Sequence, residues 1–423
     1  MADFRQDYEV VVIGAGPGGM AAASVAAEAG RSVALIDNTA GPGGQIWRSR
    51  KPEDMPPAAQ EWLARLNGSG AECIYETTAF APGDSGSILA EQSDGVVEIG
   101  YQKLILAVGA QELFMPFPGW TLPNVMGVGG LQVLSKAGWP VEGKRVVVAG
   151  SGPLLLAAAA HLKKYGAKIV CMAEQARLGK LVNFGAQLPF LAPGKLIQGA
   201  GFQWDLLGVP YRTNCWPVAA EGDECLKSVQ LTNGKSAWTE ECDYLACAFG
   251  LSPSLQWPRL LGCRTEAGNV VLDQTQQTTV SGVFCVAADA MVGGVDSSLV
   301  EGQIAGYAAA GQSSAAERLF FARRKTKKFA EAMENAFSLR DELKNLATDD
   351  TIVCRCEDVT LGEIKEHDNL RSAKLQTRCG MGPCQGRICH CALQTIHGWQ
   401  SDSPRPPVLP TRVESLAGRS SDD

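Results

Sequence analysis

The sequence predicts an α/β protein: two nucleotide-type folds followed by a small cysteine-rich module. Three observations carry this expectation. A continuous apolar strand, a glycine turn and an alanine-rich helix open the chain, ending in a second strand at Asp37. The same pattern recurs at 145–175. Six of the 14 cysteines then crowd into residues 354–391.

The first unit reads YEVVVIGAGPGGMAAASVAAEAGRSVALIDN. Gly14, Gly16 and Gly19 stand in the G-x-G-x-x-G spacing, with Gly18 inside it. The first glycine permits a tight turn, the second lets a pyrophosphate approach the backbone at a positive helix end, and the third lets helix and strand pack closely. Asp37 is placed to accept hydrogen bonds from a ribose. The repeat, RVVVAGSGPLLLAAAAHLKKYGAKIVCMAEQ, keeps Gly150 and Gly152 and ends its second strand in Glu174, which favours a free ribose over a 2′-phosphate. Its third glycine position holds Leu155, whose bulk should push the helix outward and alter the phosphate cradle. A working NAD(H) site and a fold without a redox nucleotide are both open.

LILAVGA and YLACAFGLSPS are apolar strands running into Gly109 and Gly250, and SGVFCVAADAMVGG gives a further strand ending at Asp289. With these pieces the chain resembles the two-dinucleotide-binding-domain flavoproteins of the glutathione-reductase-like superfamily. The resemblance implies FAD on the Gly14–Gly19 turn, and an acid beside the flavin ribityl chain that Asp289 matches, although Ala288 replaces the usual glycine. It also puts Gln45 and Trp47 of GPGGQIWR near the flavin; for Trp47 a place in the core explains the residue equally well. The expected division is an FAD-binding domain at 1–115 and 270–318, a nucleotide-binding domain at 116–269, a helical connector at 319–347, an iron–sulfur domain at 348–400 and a proline-rich tail at 401–423.

Disulfide reductases of this superfamily carry a C-x-x-C or C-x4-C pair beside the flavin, and no such pair precedes residue 354. His161, His367, His390 and His397 are scattered, with no Cys–His or His-based dyad, so no catalytic residue is assigned. The other eight cysteines (Cys73, Cys171, Cys215, Cys225, Cys242, Cys247, Cys263 and Cys285) read as small buried hydrophobes.

In the late module TIVCRCEDVTLGEIKEH offers Cys354 and Cys356 at a strand end before a capped helix, and GMGPCQGRIC offers Cys384 and Cys389. Gly380, Gly382 and Gly386 let backbone N–H groups turn toward sulfur. Zinc sites prefer C-x2-C knuckles, so a [2Fe–2S] cluster is the better fit, with structural zinc the rival. The module resembles the ferredoxin domain associated with bacterioferritin, which implies Cys354, Cys356, Cys384 and Cys389 as ligands. The second pair is spaced more widely than in that domain, which leaves Cys379 as a rival for Cys384 and Cys391 for Cys389.

GAGPGGMAAA, GPGGQIWR, PFPGWTLPNVMGVGGLQ, GSGPLLLAAA and CRCE…TRCGMGPCQGRIC together resemble the alpha subunits of bacterial dye-linked dehydrogenases. That group includes opine oxidase, D-hydroxyproline dehydrogenase and hydrogen cyanide synthase. The resemblance implies an amino-acid-oxidase-like beta subunit that carries its own flavin and oxidises the substrate. It also implies a small ferredoxin-like gamma subunit or an equivalent domain, and an acceptor such as a quinone or dye. NAD(H) or a non-redox adenine nucleotide at the second motif, and an FMN shared with a partner, remain alternatives. So does a different class of function, a stand-alone NAD(P)H-dependent flavin reductase.

Composition agrees. Hydrophobic residues at 45% and charged residues at 20% describe a globular protein, and a net charge of −7 argues against a nucleic-acid partner. No secretory pattern or span of ~20 apolar residues is present, so a cytoplasmic protein is expected, peripheral at the inner membrane only through its complex. Residues 180–208 carry few charges and are broken by Pro and Gly. They read as an apolar loop, either a subunit interface or packing within the nucleotide domain. The basic run 323–328 reads as a solvated helix face, and PPVLP in the tail as a stretch draped over a neighbour.

Overall fold

The computed structural model describes residues 5–49, 53, 55–84, 86–286, 293–399 and 404–417; Ala288 and Asp289 lie outside them. The chain forms two units, one of residues 1–110, 253–327 and 402–423, the other of 111–252 and 328–401.

The first unit is built on the strand Arg5–Ile13, whose apolar half Val10–Ile13 is buried in the manner of a parallel-sheet strand covered on both faces. It pairs in parallel with Val33–Ile36 on one side and Gly95–Leu106 on the other, with Val10 opposite Val33 and Val11 opposite Leu104. Val283–Cys285 adds to Gly95–Leu106 in parallel, and Ser87–Gln92 and Thr78–Pro82 extend the sheet antiparallel. The helix Pro17–Glu28 lies against the helix Gly294–Ala309. Contact is close because Cα atoms meet backbone: a Cβ on Gly302 would lie 2.1 Å from the Gly18 carbonyl oxygen, and one on Gly306 2.4 Å from that of Ala22.

The second unit has a five-stranded parallel sheet in the order Tyr211–Thr213, Lys168–Glu174, Arg145–Gly150, Tyr244–Ala248, Val125–Gly127. A three-stranded antiparallel sheet, Trp216–Gly222, Leu226–Thr232 and Ala237–Glu241, packs into the same core through Trp216, Val229 and Leu231. The cysteine module follows as a hairpin, Ile352–Cys354 with Val359–Thr360, and the helices Leu361–Lys365, Leu370–Thr377 and Cys389–His397. Thr360 and Glu363 form a reciprocal capping box on the first of these helices.

The unit boundaries depart from the expected divisions at 115/116 and 269/270. Phe114 and Met115 are buried with Val147 and Leu245, so 111–115 belong to the second unit. Leu255, Trp257 and Cys263 are buried with Val11 and Leu104, which assigns 253–269 to the first. The cysteine module is part of the second unit: the Trp120 indole N–H donates to the Ile352 carbonyl at 2.5 Å, and Arg355 Nη2 donates to that of Thr121 at 2.8 Å. In the tail Val408 does not drape over a neighbour. It is buried in the first unit's core, its N–H donating to the Phe80 carbonyl at 2.9 Å.

The apolar stretch at 180–208 is helical rather than a loop. Two helices, Leu178–Leu191 and Pro193–Asp205, meet at Ala192 and absorb Pro189 and the glycines. Phe184 packs against Phe329 and Phe337, while Val182, Phe190, Ile197 and Trp204 are exposed. The run 323–328 lies on the helix Phe320–Phe337, most of it exposed.

Candidate functional site

In the first unit the glycine turn is shaped by backbone contact. Gly14 has φ +104°, and a Cβ there would lie 2.3 Å from the Ala107 carbonyl oxygen; one on Gly19 would lie 1.7 Å from that of Gly14. Gly16 faces open space and begins the helix Pro17–Glu28 without a side-chain cap, which suits a phosphate. Gly18 is turned toward Val286 and Ser298 instead. Asp37 closes the turn: its Oδ2 accepts the Ala15 N–H at 2.6 Å, and its Oδ1 accepts the Thr39 N–H at 2.9 Å. The Gly43 N–H donates to the Ala15 carbonyl at 2.8 Å, seating the short helix Gly44–Trp47 on the turn. Gln45 on that helix is exposed and Trp47 is buried in the core. Gly109, with φ +68°, follows the strand Gly95–Leu106. The open turn, uncapped helix and acid at the strand end fit a dinucleotide such as FAD.

The second motif departs from this pattern. Leu155 is fully buried among Val146, Val148 and Ala158. Its helix starts at Leu154 rather than at Pro153, which corresponds to Pro17, after a tight turn in which the Leu155 N–H donates to the Gly152 carbonyl at 3.0 Å. Glu174 is fully buried, and its two oxygens accept the Gly152 and Ala176 N–H groups, each at 2.8 Å. Burial pushes its carboxyl up to about 7, against the opposing pull of those two donors. Gly150 and Gly250, both at φ +136°, end neighbouring parallel strands. His161 is packed on Tyr165 at 4.6 Å and within 3.1 Å of Ser135 Oγ; it is half-buried, and that burial lowers its imidazole to about 4.

The late cysteines form a buried sulfur pocket. Cys354, Cys379 and Cys389 lie with their Sγ atoms within 4.8 Å of one another. The Cys379 and Cys389 thiols both hydrogen-bond Cys354 and pull its thiol well below the ordinary value, and the Gly380 N–H adds a further bond to that sulfur at 3.3 Å. Cys356 and Cys384 are hydrogen-bonded to each other beside this trio. The loops bearing them are clasped by Arg378 and Glu357 at 2.8 Å, and a Cβ on Gly382 would lie 2.3 Å from that of Cys356. Of the four expected ligands, Cys354 and Cys389 share the trio and Cys356 and Cys384 form the pair; Cys379, expected only as a rival, joins the trio. Cys391 faces Gln111 at 3.7 Å. Sulfur donors with the Gly380 N–H turned toward one of them suit an iron–sulfur cluster, although a four-thiolate zinc site draws on the same donors. Among the other cysteines Cys225 is exposed and Cys73 half-buried; the remaining six are buried.

Residues 8–312 match the family model described as pyridine nucleotide-disulphide oxidoreductase, and the chain belongs to that family of flavoprotein oxidoreductases. It is 32% identical to the opine oxidase A subunit of Rhizobium meliloti (strain 1021), over 97% of this chain and 98% of that one. It is 27% identical to the hydrogen cyanide synthase subunit HcnB of Pseudomonas protegens, over 90% and 89% of the two chains. Among solved structures, L-proline dehydrogenase from P. horikoshii superposes with a TM-score of 0.64 at 20% identity, over 97% of this chain and 80% of that one. Thioredoxin reductase from T. acidophilum gives 0.54 at 19%, over 73% and 100%. Both share the fold.

Two features escaped sequence reading. Glu112 is half-buried, and its Oε1 accepts the Gly129 N–H at 2.7 Å at the start of the helix Val128–Lys136; no local pattern marks it. Cys379 was visible as a residue, but linear spacing does not say which sulfurs converge.

Proposed function

We propose that this chain is the electron-relay alpha subunit of a heteromeric dehydrogenase that oxidises an opine, a D-hydroxyproline or a similar amino or imino acid on a partner beta subunit. The observation that carries the reading is the buried sulfur pocket borne by a flavoprotein chain. Gly14, Gly16, Asp37 and Gln45 would hold FAD. Cys354, Cys356, Cys384 and Cys389 would hold a [2Fe–2S] cluster, with Cys379 close enough to compete. When bound, FAD would supply two-electron acceptance and the cluster one-electron transfer, the combination needed to couple an amine oxidation to a quinone or dye. This chain's own residues would bind and orient the two groups, with Cys354 and Cys389 buried and Cys356 exposed at the surface.

The full-length likeness to proteins named as subunits supports a partner, and the exposed Val182, Phe190, Ile197 and Trp204 offer it an apolar face. Among the described residues no helix is long and apolar enough to cross a membrane.

Anaerobic NADH added to the purified chain, with the flavin absorbance band followed, tests the relay. The expected outcome is an unchanged spectrum that bleaches with dithionite, and that bleaches with an amino- or imino-acid substrate once the partner is present. Rapid bleaching by NADH alone would replace the relay with a stand-alone reductase.

A further inference from the structure

In an open parallel α/β sheet a dinucleotide lies across the carboxyl ends of the strands. In the second unit the residues just past three adjacent strands are Ser151, Gln175 and Asn214. One segment of the same chain engages all three. Ser151 Oγ donates to the Phe337 carbonyl at 2.9 Å. Gln175 Nε2 donates to the Phe337 carbonyl at 3.2 Å and to that of Ser338 at 3.1 Å. Arg340 Nη1 donates to the Gln175 carbonyl at 3.4 Å and to Asn214 Oδ1. The Arg340 guanidinium lies 4.1 Å from the centroid of the Trp216 ring, and Lys180 Nζ donates to Ser338 Oγ at 2.9 Å. Gln175 is fully buried and Ser151 nearly so. Leu343, three residues on, is fully buried in the core that holds Val147 and Trp216.

We propose that the second nucleotide fold serves as a socket for the chain's own segment 337–340, which lies across the crevice in place of a dinucleotide and anchors the cysteine module that follows it. Backbone carbonyls take the donors that the strand ends offer, and a planar guanidinium stacks where the crevice presents an aromatic face. Glu174, the acid available for ribose hydroxyls, is fully buried, whereas Asp37 at the corresponding strand end of the first fold is only partly so. Segment and nucleotide therefore exclude each other, and any nucleotide affinity is reduced by the fraction of molecules in which the segment has left. The inference goes beyond the relay reading and does not depend on a partner or its substrate.

Trypsin cleavage after Arg340 in the flavin-loaded full chain tests it, with and without millimolar NADH or ATP and with nucleotide binding followed in parallel by equilibrium dialysis. Wild type is expected to resist cleavage at Arg340. The double variant Ser151→Ala with Gln175→Ala, which removes the donors to the segment, should be cut there roughly tenfold faster, as the loss of several net hydrogen bonds implies. A nucleotide that binds the wild type and speeds this cleavage in step with its occupancy shows competition and supports the socket. So does the absence of binding from a protected chain. A nucleotide that saturates the wild type while Arg340 stays protected overturns the proposal, as does wild-type cleavage at Arg340 as fast as in the double variant. The wild-type arms need no variant to fold. Failure of the relay reading, seen as flavin bleaching by NADH, is a separate signal from cleavage at Arg340.

Discussion

Glu174 shows what one residue's surroundings do to its chemistry. Its carboxyl, pushed up to about 7 by burial, keeps a proton in the folded protein that the unfolded chain releases near pH 4.5. This contribution to stability is full below pH 4.5 and is lost as pH rises through about 7, an amplitude on the order of 3 kcal/mol. Glu174→Gln should flatten that dependence between pH 5 and 8. It should also lower the baseline by about 1–2 kcal/mol, because one of the two N–H donors, of Gly152 or Ala176, then faces an amide nitrogen. Melting temperatures of both proteins across that range check this; parallel slopes would mean that Glu174 is ionised in the fold. The sequence placed this residue at a strand end next to a glycine turn, as it did Asp37. It could not show that Glu174 is fully buried while Asp37 is only partly so, because an acid after a strand has the same spacing from its glycines in either case.

Among the elements, the glycine-turn units were legible because each lies within about thirty residues of continuous chain and each step has a local cause: an apolar run, a turn, an alanine-rich helix. Leu155 carried its warning in the same way, and the later start of its helix follows from that side chain filling the space between helix and sheet. The helices at 178–205 were misread because Pro and Gly argue against helix locally, whereas Phe184 packing on Phe329 and Phe337 supplies the tertiary support that overrides them. The sulfur pocket was half legible. The hairpin carrying Cys354 and Cys356 is local, but the convergence of Cys379 and Cys389 depends on how the helices Leu370–Thr377 and Cys389–His397 fold back on it. Iron content and visible absorption of single Cys→Ser variants resolve the ligand set. Cys391→Ser should leave both unchanged, since that sulfur faces Gln111; Cys354→Ser should abolish them. Loss of iron from Cys391→Ser would move the pocket by one helical step.

For the whole molecule, the exposed apolar side chains of 178–205 are the feature a lone chain explains least. Phe190 is 83% exposed and Trp204 75%. Substituting both with Glu should weaken coelution with the beta partner by at least about tenfold while leaving flavin content unchanged. Unaltered coelution would place the docking face elsewhere.

The close seating of Gly302 and Gly306 on the Pro17–Glu28 helix has a consequence for synthesis. The helix that completes the first nucleotide fold is translated after the entire middle of the chain, and Val408 closes the same unit's core only near the end. Ribosomes make about 5–20 residues per second, so the amino-terminal strand and helix emerge many seconds before their covering partner exists. The middle of the chain can fold first, reversing the usual order in which domains leave the ribosome. Chains arrested before residue 294 should lose their amino-terminal segment to protease, and chains extended past 417 should retain it. Flavin loading is then expected only after the helix Gly294–Ala309 has been made.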